Sequence, residues 1–318
     1  MNYKKLFSIF VLILILALAF FYIYKNFSDF KSLTLVSPHL IFYIVIFFLI
    51  NYIFIGIITR ELIASLNVKL SHKESFMISV FTGFYNLITP LRGGMAARAV
   101  YLKKKHNFSY SNFFATLSAS YVLTFLIAGF LGLLSTYLIY SKEGILSIPL
   151  LILFLGAFTS MLLIITISPK FKLTKNSLVN KFINVINGWH LIKSNIKLVS
   201  TISILTIIQI LISSYMLQLQ FQVFGIEISF MKCLFLSSIG SLSILIAITP
   251  ANLGIAEAVT VFSALTIGIS AAESLSAAIL GRLIQTVILF ILGPIFSYIL
   301  IKPLNSSSEN GNKITVYS

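Results

Sequence analysis

A chain of 318 residues in which 58% are apolar, only 10% are charged and the mean hydropathy is +1.01 excludes a water-soluble domain. Its single cysteine, Cys233, excludes a disulfide framework and a Cys-based metal cluster. A net charge of +15 on such a chain points to an anionic membrane surface, and nucleic acid is not expected as a partner.

Apolar runs long enough to cross about 30 Å of hydrocarbon predict six full crossings, the first at residues 6–24. Lys4 and Lys5 precede that run and Ala17 and Ala19 resemble a cleavage site, but its hydrophobicity continues through Phe20, Phe21 and Tyr24, which favours a retained helix over a signal peptide. The second crossing is 39–59. Residues 75–105 are then interrupted: an arm from 75 to 88 reaches only about 21 Å as a helix before Pro90, Arg92, Gly93 and Gly94 stop it. This stretch reads as a re-entrant hairpin. Crossings at 112–140 and 148–168 follow.

In the long connection after them, Leu178, Phe182, Val185, Trp189, Ile192 and Ile196 recur at helical steps, with lysines on the other faces. This predicts an interfacial amphipathic helix over about 175–197, lying on the anionic leaflet. Another crossing at 197–224 leads into a second broken region, 230–268. Its first part, 230–248, is nearly long enough to span alone, but Ser237, Ser238, Gly240, Ser241 and Ser243 suit packing against protein. The last crossing is 271–301, and the polar tail 305–318 reads as disordered.

The two broken regions match. Ile88–Ala99 (ITPLRGGMAARA) recurs 160 positions later as Ile248–Val259 (ITPANLGIAEAV), with five of twelve positions identical, among them Pro90/Pro250 and Gly94/Gly254. The chain has only seven prolines, so chance is a poor explanation. Repeat one covers about 39–140 and repeat two about 197–301, joined by the crossing at 148–168 within one transmembrane domain, 1–304. With both hairpins returning to their own side, 18 of the Lys and Arg residues fall on one face and four on the other. That bias places both termini in the cytoplasm of a multi-pass cell-membrane protein. The connecting crossing turns the second unit over, so the expected architecture is all-α, an inverted repeat whose hairpin tips meet.

Charges inside the membrane each cost about 2.5–3.5 kcal/mol at mid-depth. Glu257 and Arg282 have a plain structural reading as a buried pair, and Arg92 and Arg98 as side chains that snorkel to the interface. Taken together, three Arg and one Glu near the meeting tips leave a local charge of +2. Helix N-termini after Pro90 and Pro250 add partial positive charge, and Asn252 a neutral donor. Such a site suits a phosphate gripped by an Arg fork. The substrate-binding set is therefore Arg92, Arg98, Asn252, Glu257 and Arg282, held by hairpin breaks at Pro90, Gly93, Gly94, Pro250 and Gly254.

These residues also resemble the lysylphosphatidylglycerol synthase transmembrane-region, flippase-like family. Pro250-Ala251-Asn252-Leu253-Gly254-Ile255-Ala256-Glu257 is similar to its P-G-G-x-G-x-x-E signature, and Pro90 to Arg98 to its P-x-R-x-G-E-x-x-R. Gly268, Arg282 and Gly293-Pro294 fit as well, so the resemblance covers roughly 40–300. Three features depart from it: Met95 where the family usually has Glu, Ser120-Tyr121 where it often has Glu-Arg, and Ala251-Asn252 in place of paired Gly. The aminoacyl-transferase domain that follows this region in true synthases is not in the sequence, so the resemblance implies lipid translocation and not synthesis.

No other chemistry competes. His39, His72, His106 and His190 are scattered, and no H-E-x-x-H, G-x-S-x-G, P-loop or metal-ligand spacing occurs. The expectation is a non-enzyme without cofactor, drawing on gradients or mass action, whose partners are membrane lipids with an anionic head group. Two alternatives stay open: a membrane subunit for a separate lipid-modifying transferase chain, and an ion-coupled transporter of a small anion. A homo-oligomer fits any of these.

Overall fold

The computed structural model describes residues 34–167, 171–175, 180, 183, 187, 189, 190, 192–246 and 248–311. The crossing expected at 6–24, with the choice between signal peptide and retained helix, lies outside these residues, as does 312–318.

Among the described residues, nine α-helices of known bounds follow one another: α1 (Leu40–Ala64), α2 (His72–Ile88), α3 (Gly93–His106), α4 (Tyr110–Glu143), α5 (Ile148–Ile167), α6 (Ile196–Val223), α7 (Phe230–Leu242), α8 (Ile255–Leu265) and α9 (Ala271–Gly311). In hydrocarbon every backbone N–H and C=O must be satisfied within the protein, and helices do so segment by segment. Five of them, α1, α4, α5, α6 and the Ala271–Lys302 part of α9, are long and apolar enough to cross a membrane. The protein is a multi-pass, all-helical membrane protein. Helix α9 runs on to Gly311, past the start of the tail expected to be disordered, because extending an existing helix avoids the cost of nucleation.

Helices α2 and α3 form the first hairpin. Ser71 caps α2 by accepting from the Glu74 N–H, and the base is closed where the Glu74 carboxylate meets the Tyr101 hydroxyl at 2.6 Å, His106 at 2.8 Å and Lys105 at 3.1 Å. Between the arms the chain makes a 3₁₀ turn at Pro90–Arg92. Gly94 is obligatory there: a Cβ would run into the Thr82 carbonyl oxygen and lie 2.7 Å from the Asn86 nitrogen of the facing arm.

The second hairpin, α7 and α8, begins alike, with Ser229 accepting from the Lys232 N–H. Its first arm stops at Leu242 and passes into 3₁₀ turns at Ser243–Ile246 and Pro250–Asn252, so the stretch 230–248 does not span. Ser241 and Ser243 turn their hydroxyls back onto the carbonyls of Ser237 and Gly240, as serines in helices do where the ladder weakens.

The first hairpin's base packs by the start of α4, with Leu102, Phe108 and Phe113 in one core. The second sits at the other end of α4, where Lys232 meets Glu143 at 2.7 Å. The tips meet between them, and the Leu91 N–H donates to the Ile248 carbonyl at 3.3 Å. Helices α1 and α6 lie antiparallel. The Val36 N–H bonds to the Val223 carbonyl at one end, and Leu62 packs with Leu198 and Ile202 at the other. Helix α2 packs on α9 and α7 on α4, so each first arm leans on the last helix of the other unit.

Of the interfacial helix expected over 175–197, residues 180, 183, 187 and 189 are helical, and 192–194 form a turn before α6. Its apolar side was expected to face lipid. Trp189 and Ile192 are instead 1% exposed, packed against Leu62, Val122, Leu123 and Ile202. Helices α1, α4 and α6 leave a trough, and a large ring buries more area there than it would in a head-group layer. Helix α5 stands apart, burying only Phe154 and leaning on α4 through Gly129 and Gly132.

Candidate functional site

A cavity of about 310 Å³ lies among α1, α2, α3, α4 and α6, just behind the first tip. It is lined by Arg92 and Arg98 and by polar groups from every wall, among them Thr59, Asn86, Tyr121 and Gln209. No carboxylate occurs among its described lining residues.

Arg98 is 7% exposed, so it does not snorkel to an interface. One guanidinium nitrogen donates to Thr59 Oγ1 at 3.3 Å, and the group lies 5.3 Å from the Phe113 ring centre. Its Nε is buried without a hydrogen-bond partner, as is Asn86 Oδ1. A buried polar atom left without a partner costs about 1–3 kcal/mol, and both residues line this cavity. Arg92 donates to the Tyr121 hydroxyl at 2.5 Å and lies over that ring at 5.6 Å. It reaches Tyr121 from a left-handed backbone, φ +58° after Leu91 at φ +54°. Two such non-glycine residues in succession are costly, about 1–2 kcal/mol each, and the tip contact to Ile248 holds them.

The other expected site residues gather elsewhere. Glu257 accepts from Arg282 Nε at 2.7 Å through one oxygen and from the Gly254 N–H at 2.6 Å through the other. Gly254, at φ +79°, takes a backbone that L side chains rarely adopt, and so presents its N–H to the carboxylate three residues on. Both side chains of the pair are about 15% exposed. They line a separate cavity of about 190 Å³ with Gln220, Thr260 and Gln285, among α1, α6, α8 and α9. Asn252 stays at the second tip, at φ +59° with its Oδ1 buried and unpartnered. The five residues read as one site thus fall into a basic cavity (Arg92, Arg98), a neutralised ion pair (Glu257, Arg282) and a tip residue (Asn252). Charge count alone does not separate them, because 160 residues of intervening chain decide which arginine meets the glutamate.

Pro90 and Pro250 each open a 3₁₀ turn, and Gly93 tucks against the Thr89 side chain, where a Cβ would clash. Sequence reasoning missed Thr59, Asn86 and Gln209. Each is a polar residue in an otherwise apolar helix, and that was the available signal.

The chain belongs to the family of the lysylphosphatidylglycerol synthase TM region, whose model matches residues 5–293. A comparison with curated proteins found no match. The membership is consistent with a role tied to membrane lipid.

Proposed function

We propose that this protein translocates an anionic membrane lipid, a phospholipid or a polyprenyl-phosphate-linked lipid, whose head group passes through the Arg92–Arg98 cavity while its tails stay in hydrocarbon. The observation that carries the reading is a cavity with two guanidinium groups and no carboxylate among its described lining residues, set where two hairpin tips touch. Its 310 Å³ suits a head group, at the lower end of small-ligand pockets of about 300–1,000 Å³.

The two units form an inverted repeat on this reading. Elements of the second start within four residues of 160 positions after their counterparts, and antiparallel α1 and α6 with hairpins at opposite ends of α4 support the inversion. The 190 Å³ cavity is then the counterpart of the basic one, built from α6, α1, α8 and α9 where the other uses α1, α6, α3 and α4. One is basic; in the other Glu257 and Arg282 pair and leave no net charge. On this reading the head group would pass from one cavity to the other, and the Glu257–Arg282 pair would lie on its path. The Lys and Arg bias supports a cytoplasmic position for both termini and for the basic cavity, in the cell membrane. No chemical step is assigned to any residue, and membrane lipids are the partners.

Native mass spectrometry of the protein released from its own membrane tests the reading. Enrichment of one anionic lipid class is expected, and its loss in Arg98→Gln. Zwitterionic and anionic lipids retained in bulk proportion would overturn it.

A further inference from the structure

We propose that the groove between α5 and the second hairpin is the seat of an acyl chain of the lipid whose head group occupies the Arg92–Arg98 cavity; the inference rests on that functional reading. The groove encloses about 510 Å³ and is walled by Phe125, Gly156, Ser160, Leu242, Ser243 and Ile246 among others. It adjoins the basic cavity along two elements. On α4, Tyr121 belongs to the cavity and Phe125 to the groove, and the two rings stack at 5.9 Å with planes 6° apart. Where α7 breaks, Ser241 and Ile244 face the cavity, and Leu242, Ser243 and Ile246 the groove. A polar, cationic chamber and an apolar trough thus share one boundary. That is the profile of a single amphiphile: anionic at one end, hydrocarbon at the other.

The packing of α5 leaves this room. Gly129 and Gly132 hold it tightly to α4, where a Cβ on Gly129 would lie 2.7 Å from the Phe158 nitrogen. At Gly156, on the groove wall, a Cβ would meet nothing within 4 Å. A glycine in a helix interior gives up about 0.5–1 kcal/mol relative to alanine, and no close packing at this position repays it. An amphiphile held at both ends would keep its chain beside the protein while its head group moves, which makes an anionic diacyl lipid the occupant.

Photocrosslinking in phosphatidylcholine nanodiscs tests this. One probe is phosphatidylglycerol with a diazirine at the end of one acyl chain; the other is phosphatidylcholine carrying the same chain. The anionic probe is expected to label segments 152–161 and 239–246 several-fold above the zwitterionic one. That excess should vanish in Gly156→Phe, whose ring fills the groove, and persist in Gly240→Phe, where a Cβ also meets nothing within 4 Å but the groove is not lined. Ser160→Phe, from the same wall, replaces Gly156→Phe should that variant not fold. Equal labelling by the two probes means bulk lipid only and overturns the proposal, as does an excess that survives the filled groove. Arg98→Gln separates the two readings. If it abolishes enrichment of anionic lipid while groove labelling never exceeds the zwitterionic background, the cavity stands and the groove falls. If a groove excess survives Arg98→Gln, the head group is held elsewhere and the cavity reading fails with it.

Discussion

Breaking the Glu257–Arg282 pair should cost stability, and the geometry says how much and which change hurts more. Arg282→Gln leaves the carboxylate with the Gly254 N–H at 2.6 Å as its remaining close donor. Removing one partner of a buried ion pair costs about 3–5 kcal/mol. At about 15% exposure, water relieves some of this, and the lower end, about 3 kcal/mol, is expected. At about 2–4 °C per kcal/mol for a chain of this size class, the midpoint should fall by at least about 6 °C. Glu257→Gln should cost somewhat less, since its one amide oxygen still accepts from Gly254 or from Arg282, though not from both. The double change Glu257→Gln/Arg282→Gln should recover at least about 1 kcal/mol relative to the sum of the single effects, because two neutral amides in contact replace one orphaned charge. Thermal unfolding of the four proteins in one detergent measures the cycle. Additive effects, or single changes each within about 0.5 kcal/mol of the parent, would refute a structural role for the pair.

The base of the first hairpin should be acid-sensitive. Burial pushes the Glu74 carboxyl up, but hydrogen bonds from Tyr101, His106 and Lys105 outweigh it and hold the group below its ordinary value. Its contribution is therefore complete above the unfolded value of about 4.3 and is lost as pH falls through the folded one; the melting gap between the parent and Glu74→Gln should shrink as the pH is lowered below about 4.3. Gly94→Ala should destabilise by about 1–3 kcal/mol, the cost of overpacking, since its Cβ would meet the backbone of the facing arm, whereas Gly156→Ala should be neutral or slightly stabilising in the same melt. In a Cys233→Ser background, single cysteines at Lys104 and Glu227 should label from opposite faces of sealed vesicles; labelling from one face would end the inverted arrangement.

Much of the fold was legible because hydrocarbon permits few solutions. Five of the expected crossings are present to within a few residues, and the Pro-Gly interruptions at 90–94 and 250–254 locate both tips, since neither sequence can continue a helix there. Contacts set by tertiary packing were not legible. Nothing local distinguishes a Trp189 that faces lipid from one that fills a trough between three helices. Likewise Arg98 and Arg282 look alike in sequence, yet one lies beside Thr59 with a free Nε and the other is joined to Glu257. Met95 and Ser120-Tyr121 were legible as departures from the family pattern. Their consequence emerges only in three dimensions, as a basic cavity with no carboxylate among its described lining residues.

The most direct test of anionic-lipid translocation is the rate at which fluorescent phosphatidylglycerol crosses the bilayer of reconstituted vesicles, read by dithionite quenching beside phosphatidylcholine with the same label. The parent should move the anionic probe preferentially. Arg92→Gln and Arg98→Gln should each slow it about ten-fold, the loss of one charge-assisted contact of about 1.5 kcal/mol, while Lys103→Gln, a neighbouring exposed charge, leaves the rate unchanged once salt screens the surface. Equal rates for the two probes, or an Arg98→Gln protein as fast as the parent, would contradict passage through this cavity.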